Sequence, residues 1–307
     1  MMDNSNVYHV PALLKESVEA LNIKTDGVYV DVTYGGGGHS GEILSRLKNG
    51  RLFAFDRDRD AVNNLPKDKR LIFINNNFRF MHNLLRYHGV TQVDGILADL
   101  GVSSHHFDNG ERGFSFRFPD ASLDMRMGQD SDLTAQKVLN TYPQNSLKRI
   151  FFEYGEIKRA DRLAAILVDS RNQKPLNSVA DLIESITPLI PKSDEKQFLA
   201  KVFQAIRIEV NKEMQSLKQL LEQSLKVLVP EGRLSVISYH SLEDRMVKNF
   251  MKTGNVEGQQ VKDFYGNEIS PFTIISKKAI VPSSEEILFN SRSRSAKLRI
   301  AQKKMMQ

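Results

Sequence analysis

Cysteine is absent from the 307 residues of the chain, and its absence excludes several kinds of site. Without thiolates there are no disulfide bonds, no cysteine-ligated zinc or iron–sulfur cluster, and no thiol nucleophile. Long apolar runs are missing too, because no stretch of about 18 uninterrupted apolar residues occurs, so we expect no membrane-spanning segment. Residues 1–6 are polar, and no apolar signal region follows them. These absences together predict a cytoplasmic protein.

The composition is otherwise that of a globular protein, with 40% hydrophobic and 26% charged residues. The formal net charge of +6 favours an acidic partner such as nucleic acid. Residues 290–307 carry several arginines and lysines and no acidic residue. We expect this segment either to hold RNA phosphates, with Lys303 and Lys304 among the contacts, or to be a solvated tail.

Short apolar strands alternate with helices in the first third of the chain, which indicates a parallel sheet covered on both faces. A helix is predicted over 11–21 and a single long helix over 207–228. Between them, residues 107–200 show helices and loops but no convincing strand, with Ser178 and Asp181 spaced as a helix start. We therefore predict an α/β domain of residues 1–106 and 201–307 with a helical domain, 107–200, inserted. The predicted strands are 28–33, 51–56, 70–75, 93–99, 233–239, 272–276 and 297–301.

A glycine-rich loop follows the first predicted strand. Residues 36–41 match G-x-G-x-x-G between a strand and a helix, where backbone approaches a nucleotide closely. Asp56 ends the second strand about 20 residues further on, where a carboxylate can accept bonds from ribose hydroxyls. A glycine-rich turn without a ligand is the alternative, but the strand, helix and Asp56 in register favour a nucleotide-type cofactor. Both a nicotinamide dinucleotide and S-adenosylmethionine fit this pattern.

Asp99 helps to choose between these cofactors. It lies at the carboxyl end of the fourth strand, next to the switch point where ligands bind in open α/β sheets. A carboxylate there, followed by the Leu100-Gly101 turn, resembles the position where amino-methyltransferases hold the target amine. An ordinary turn is the alternative. We find no hydride-transfer site in the second half, which disfavours a dehydrogenase.

Three further features have both a functional and a structural interpretation. Phe78, just past the third strand, either packs on an adenine ring or belongs to the core. His39 in the glycine loop either contacts the methionine part of the cofactor or caps the turn. The 239–245 loop either contacts substrate or only starts a helix, with Ser241 and Asp244 spaced for capping.

Nine stretches, in the same order along the chain, resemble the small-subunit ribosomal RNA cytosine-N4 methyltransferases, the RsmH or MraW family. LDMRM and HSLEDR are the most specific of them. The stretches are HVP (9–11), DVTYGGGGHS (31–40), FDRD (55–58), DGILADLGVSS (94–104), ERGFSF (111–116), LDMRM (123–127), FQAIRIEVN (203–211), SYHSLEDR (238–245) and RSRSAKLR (292–299).

The resemblance implies a class I S-adenosylmethionine-dependent methyltransferase with a Rossmann-like sheet, whose inserted helical domain recognises RNA. It implies S-adenosylmethionine as methyl donor and, as target, a cytosine in the decoding region of 16S rRNA, within the small ribosomal subunit. We predict no metal site. Asp99 would serve the cofactor, the orientation of the target amine, or both. His106 stands where the family has Gln. The implied cofactor contacts are Gly37, Gly38, His39, Asp56, Phe78, Asp99 and His106.

A ribosome assembly factor that keeps the fold without activity is the main alternative of another class. The intact glycine loop, Asp56 and Asp99 argue against it.

Overall fold

The computed structural model describes residues 11–101, 110–128 and 131–305. It divides into two compact units, one of Met1–Gly101 with Gln215–Gln307 and the other Val102–Met214. The sequence analysis placed the end of the helical domain at residue 200, whereas this unit extends to Met214. The helix Glu195–Asn211 belongs to it because its apolar face is buried in the core of the helical unit.

A seven-stranded sheet forms the centre of the α/β unit. Within the described residues the strands are β1 Val28–Asp31, β2 Arg51–Asp56, β3 Leu71–Asn75, β4 Val93–Asp99, β5 Leu228–Ser238, β6 Val261–Lys262, β7 Glu268–Ile269, β8 Phe272–Ile274 and β9 Lys297–Lys303. The order in the seven-stranded sheet is β3-β2-β1-β4-β5-β9-β8. The first five of these strands are parallel, and β9 is antiparallel to both of its neighbours. This order is that of the predicted class I Rossmann-like fold, which the structure confirms.

The central strands are apolar along nearly their whole length because helices cover both faces of a parallel sheet. Tyr29, Phe53, Phe55 and Ile96 are fully buried. The strand β4 lies beside β1 in the sheet, and its observed bounds are those predicted from the sequence. Its apolar run is uninterrupted from Ile96 to Ala98. The site residues at the strand ends are thereby attached to a rigid base.

The helices found within the described residues are α1 Leu14–Glu19, α2 Gly38–Arg46, α3 Met81–Tyr87, α4 Ala135–Thr141, α5 Gln144–Glu153, α6 Ala160–Gln173, α7 Val179–Ile186, α8 Glu195–Asn211, α9 Glu213–Val227, α10 Ser241–Thr253 and α11 Ser284–Phe289. A short 3-10 helix, Arg59–Asn64, replaces the α-helix expected after β2. None of the described helices combines the length and the apolar character needed to cross a membrane.

The helical unit has its own apolar core, to which Leu147, Phe151, Leu163 and Val202 belong. The predicted start of α7 is confirmed. Ser178 accepts a hydrogen bond from the backbone N–H of Asp181, and the Asp181 carboxylate accepts one from the backbone N–H of Ser178.

Two predicted helices have the wrong extent, and a left-handed residue explains each. Leu13 has φ 51°, so α1 begins only at Leu14, and the Leu13 N–H donates instead to Glu286 Oε1 at 2.9 Å. Lys212 also has φ 51° and divides the expected 207–228 helix into α8 and α9. Apolar periodicity continues through both positions, so the sequence pattern alone does not reveal the breaks.

The carboxyl-terminal segment is not a solvated tail up to Lys303, because β9 extends that far. Lys303 is buried, and its Nζ donates to the carbonyl oxygens of Leu225 at 2.8 Å and Leu228 at 2.6 Å. Burial also lowers the pKa of this lysine. The expectation that Lys303 contacts RNA phosphates is therefore wrong.

Candidate functional site

The carboxyl ends of the parallel strands meet at one side of the sheet, which we call the carboxyl edge; it is where β1 ends at Asp31, β2 at Asp56 and β4 at Asp99. The opposite side, where the same strands begin, is the amino edge. Asp31 pairs with Leu97 in the β1–β4 register, so Asp99 lies just beyond Asp31 on the neighbouring strand. This is also the point where the strand order reverses, the usual position of ligands in open α/β sheets.

The glycine loop leads from β1 into α2, and its shape depends on the missing side chains. Gly37 has φ 80°, and a Cβ there would lie 2.6 Å from the Tyr34 hydroxyl oxygen. A Cβ on Gly38 would clash with the ring of Pro11. Glycine is thus required at both positions by packing within the chain, and the start of α2, which favours negative or electron-rich groups, lies at the carboxyl edge.

Asp31 fixes this loop, although the sequence analysis did not assign it a role. Its Oδ2 accepts a hydrogen bond from the Ser40 hydroxyl at 2.7 Å, and its Oδ1 accepts one from the Thr33 N–H at 3.0 Å. The Thr33 hydroxyl oxygen in turn accepts the N–H of Asp99 at 2.7 Å. Burial raises the pKa of Asp31 to about 6. The chain therefore ties the loop after β1 to the end of β4. The Asp-x-Thr spacing is a typical side-chain-to-backbone turn signal that would have indicated this role.

Asp56 is connected to the same loop from β2. Its Oδ2 accepts the N–H of Gly35 at 2.7 Å, and its Oδ1 accepts the N–H of Asp58 at 2.8 Å. A carboxylate has about four acceptor positions, so holding the loop and accepting ribose hydroxyls are compatible functions. Phe78 lies after β3, half-buried and packed partly against the core beneath the sheet. Its core contact does not prevent the exposed part of the ring from stacking on a base.

Asp99 is the most unusual carboxylate at this edge. The Tyr239 hydroxyl donates to its Oδ1 at 2.7 Å. One fifth of its side chain, 20%, remains exposed. Burial raises the pKa of Asp99 to about 7, as do the nearby Asp31 and Glu243 carboxylates, while the bond from Tyr239 acts in the opposite direction. A carboxyl group that exchanges protons near neutral pH is suited to hydrogen-bond chemistry on a substrate.

His39 does not neutralise Asp99. Its Nδ1 lies 3.8 Å from Asp99 Oδ2, but the ring is buried and burial lowers its pKa to about 4, so the ring is uncharged at neutral pH. Its Nε2 lies 3.3 Å from the carbonyl oxygen of Ala12, which assigns the proton to Nε2. In the part of the chain that the structure describes, no lysine or arginine contacts Asp99.

Tyr239 and Glu243 complete the site; the sequence placed a possible substrate contact in the 239–245 loop but gave neither residue a role of its own. Glu243 is buried, and its Oε2 accepts the backbone N–H of Tyr239 at 2.9 Å. The expected helix start at Ser241 and Asp244 is wrong by one position: the cap is His240, paired with Glu243. Asp244 instead binds Arg299 at 2.6 and 3.1 Å. The S-Y-H-S-L-E-D-R motif carried the signal, but only the fold brings Tyr239 to Asp99.

The structure thus brings most of the predicted residues to one edge. Gly37, Gly38 and His39 form the start of α2, and His39 reaches Asp99. Asp56 joins them through Gly35. His106 lies outside the described residues. Their individual contacts to a cofactor remain predictions.

The residues present fit S-adenosylmethionine. The glycine loop leads into the start of α2, Asp56 offers acceptors for a ribose, and no phosphate-binding cation is required, since this donor carries no phosphate. Uncharged His39 also suits a site for a sulfonium cation, because it adds no positive charge.

The chain is similar to known methyltransferases along nearly its whole length. The sequence profile described as the MraW methylase family matches residues 6–304. The ribosomal RNA small subunit methyltransferase H of Bacteroides fragilis (strain YCH46) is 57% identical over 305 residues, covering 99% of this chain and 100% of that protein. The protein of the same name from Flavobacterium johnsoniae is 56% identical over 303 residues, covering 98% and 100%.

Among solved structures, an rRNA methylase from Streptococcus thermophilus covers 98% of this chain and 100% of its own, with 11% identity and a TM-score of 0.43. The match to the family profile and the identity to the curated relatives decide between the two cofactors in favour of S-adenosylmethionine. The chain belongs to the MraW methylase family and is a class I methyltransferase that uses S-adenosylmethionine.

Proposed function

We propose that the protein transfers a methyl group to the N4 amine of a cytosine in the decoding region of 16S rRNA, in the cytoplasm and within the small ribosomal subunit. The names of the relatives support a ribosomal RNA of the small subunit as substrate. The observation that carries the choice of atom is Asp99, a carboxylate without a cation partner among the described residues, held by Tyr239 at the edge where the donor binds.

The exocyclic amine of cytosine is a weak nucleophile because its lone pair is delocalised into the ring. An acceptor for one of its N–H bonds localises that pair on nitrogen. Tyr239 fixes the Asp99 carboxylate through Oδ1, and Asp99 then accepts the amine N–H. S-adenosylmethionine supplies a methyl group that is already activated on sulfur. The remaining task of the chain is to align the amine with that methyl and to exclude water. The target base has to leave its stack to reach Asp99.

Two other methylation targets fit the chain less well. Methylation of carbon 5 of the cytosine ring needs a nucleophile that first adds to carbon 6, usually a thiolate, and the chain has no cysteine. Methylation of a ribose hydroxyl calls for a general base such as lysine beside the oxygen. Residues 99–104 contain no lysine.

The helical unit is the proposed RNA-recognition domain. Lys158, Arg159 and Arg162 form an exposed basic group at the start of α6. Such a group contributes to binding through phosphates, without sequence preference. We assign selection of the target to the fit between this unit and the folded RNA.

The test is to incubate small ribosomal subunits with labelled S-adenosylmethionine, digest the RNA and separate the nucleosides. The proposal predicts label in N4-methylcytidine, and incorporation at least about 100-fold slower with the Asp99→Asn variant. Label in 5-methylcytidine or only in 2′-O-methyl nucleosides would overturn the choice of atom. Donor binding without any transfer to subunits or to naked rRNA would favour the non-catalytic assembly factor.

A further inference from the structure

A pocket of about 200 Å³ lies next to Tyr239, between the start of α10 and the start of β9. We call it the basic pocket. Its polar lining consists of Tyr239, His240 and Ser241 on one side and Arg294, Ser295 and Lys297 on the other. All of these belong to the α/β unit.

The charge of the basic pocket is positive. Arg294 is exposed, and no carboxylate of the described residues pairs with it. Lys297 is 47% exposed, with its Nζ 3.6 Å from Asp244 Oδ2. Asp244 is already bound by Arg299 through two hydrogen bonds, so one carboxylate serves two cations. The Glu243 carboxylate is turned toward the backbone N–H of Tyr239.

Neutral donors face the same space. Ser241 is the first residue of α10, a helix of 13 residues whose start carries partial positive charge, and Ser295 adds a hydroxyl. The His240 side chain is only 9% exposed, and its Nε2 lies 3.2 Å from Glu243 Oε1 without hydrogen-bond geometry. Val281 and Ala296 complete the lining, and the charged and hydroxyl groups around them are suited to a phosphate group.

The sheet register places the basic pocket close to the proposed target site. Asp99 pairs with Ile237 of β5, Ile237 pairs with Leu298 of β9, and Lys297 is the next residue along β9. Neighbouring strands lie about 4.8 Å apart, so Lys297 is roughly 10 Å from Asp99 along the carboxyl edge. An RNA strand whose base enters at Asp99 has its backbone phosphates at this kind of separation.

We propose that the basic pocket is a subsite for a backbone phosphate of the RNA strand beside the target cytosine. This inference rests on the proposed function, since it assumes an RNA substrate at Asp99. S-adenosylmethionine carries no phosphate, so the subsite is distinct from the donor site. Its role is to fix the register of the strand while the base is out of its stack.

The test compares Arg294→Gln, Lys297→Gln and the double variant with Lys48→Gln. Lys48 is exposed between α2 and β2, at the amino edge, so its variant removes a positive charge far from the pocket. Binding to a small-subunit rRNA fragment is measured against salt concentration, and donor affinity is measured by calorimetry. We expect the double variant to lower the slope of log K against log[salt] by about one unit and to weaken RNA binding roughly tenfold. Donor affinity and the Lys48→Gln slope stay at the parent values.

Three outcomes would overturn the inference in distinguishable ways. Equal slopes for the double variant and Lys48→Gln would remove the subsite and leave the proposed function intact. A parent protein without salt-dependent RNA binding would remove both proposals. Competition by inorganic phosphate at constant ionic strength that is lost in the variants, together with an unchanged RNA slope, would reduce the pocket to a general anion site. The Arg294→Lys variant, which keeps the charge, should retain most of the slope.

Discussion

Two aspartates of the same strand, Asp94 and Asp99, have opposite environments. Asp94, at the amino edge, accepts a hydrogen bond from Lys24 Nζ at 2.8 Å and another from the Val28 N–H at 3.0 Å. Asp99, at the carboxyl edge, has a tyrosine hydroxyl and an uncharged histidine beside it. The pKa of Lys24 is raised, chiefly by its hydrogen bond to Asp94, as expected for a matched pair. The pKa of Asp99 is raised to about 7 because burial disfavours its charge.

The difference separates stability from chemistry along one strand. At the amino edge, charged groups find their partners within the fold. Asp94 accepts a hydrogen bond from Lys24, and Lys303 donates to the main-chain oxygens of Leu225 and Leu228. At the carboxyl edge Asp99 is buried without a compensating cation among the described residues, at a cost to stability. Sites that act on substrates commonly carry this kind of cost.

The largest expected effect is on catalysis at Asp99. Asp99→Asn keeps the shape of the side chain but makes it a poorer acceptor, so we expect single-turnover methyl transfer to small subunits to fall about 10²- to 10⁴-fold. Asp94→Asn is the matched control and should keep a rate within about threefold of the parent. Equal rates in the two variants would contradict the division of function between the two edges.

The next effect concerns Asp56, a carboxylate of the carboxyl edge that the backbone does hold. Asp56→Ala should weaken S-adenosylmethionine binding by roughly 1.5–3 kcal/mol, about 10- to 150-fold, because charge-assisted bonds to the ribose are lost. Calorimetry measures the affinity. Asp58→Ala, which removes a neighbouring carboxylate that caps the Arg59–Asn64 turn, should leave the affinity nearly unchanged. An unchanged affinity for Asp56→Ala would reject its role as cofactor contact.

The free energy of unfolding, measured against pH, distinguishes Asp99 from Asp94 because substitution of the two residues should change it in opposite directions. The folded pKa of Asp99 lies above its ordinary value near 4, so the native state keeps the proton longer than the unfolded chain. Its contribution is therefore most favourable at low pH, declines as pH rises from about 4 to about 7, and is fully lost above that range. At pH 8 Asp99→Asn should raise the free energy of unfolding by roughly 1–3 kcal/mol. Asp94→Asn should lower it by about 1 kcal/mol.

Urea denaturation at pH 5 and pH 8 measures both variants. The gain of Asp99→Asn should be smaller at pH 5, where the parent carboxyl is mostly protonated in the native state. If Asp99→Asn instead lowered the free energy of unfolding at pH 8, the charged Asp99 carboxylate would not destabilise the native state, and this account of Asp99 would be wrong.

The smallest expected effect is that of Tyr239→Phe. The hydroxyl of Tyr239 lowers the pKa of Asp99, so its removal should raise that pKa. The rate of methyl transfer should rise with pH as Asp99 loses its proton, and in Tyr239→Phe the midpoint of this rise should move up by about one pH unit. At pH 7 the rate should fall roughly threefold to tenfold, and at pH 9 the difference should shrink. A pH-independent loss of rate would assign Tyr239 a role in packing alone.

Local patterns were sufficient to predict much of the fold. The apolar runs of β1 to β4 and the glycine loop follow from short-range chemistry, and the structure places them where the sequence indicated. The breaks at Leu13 and Lys212 were missed, because a left-handed residue that is not glycine leaves no signal in the apolar period. Tertiary contacts decide such positions.

The candidate site was predictable only in part for a similar reason. Asp56 and Asp99 end predicted strands and could be found from strand order. Tyr239 contacts Asp99 across a sequence separation of 140 residues, so no local pattern links them. The prediction for the basic segment 290–307 failed for a different reason. Charge alone does not show that Lys303 is buried while Lys297 is exposed, at the two ends of β9.

The most direct measurement of the central claim is the pKa of the Asp99 carboxyl group in the free protein. Carboxyl-carbon NMR of protein labelled at aspartate follows every such group against pH, and the signal missing from Asp99→Asn assigns the resonance. We expect the titration midpoint of Asp99 to lie near pH 7, and the midpoint in Tyr239→Phe to be higher. A midpoint near the ordinary aspartate value of about 4 would contradict it, because Asp99 would then be an ordinary solvated carboxylate.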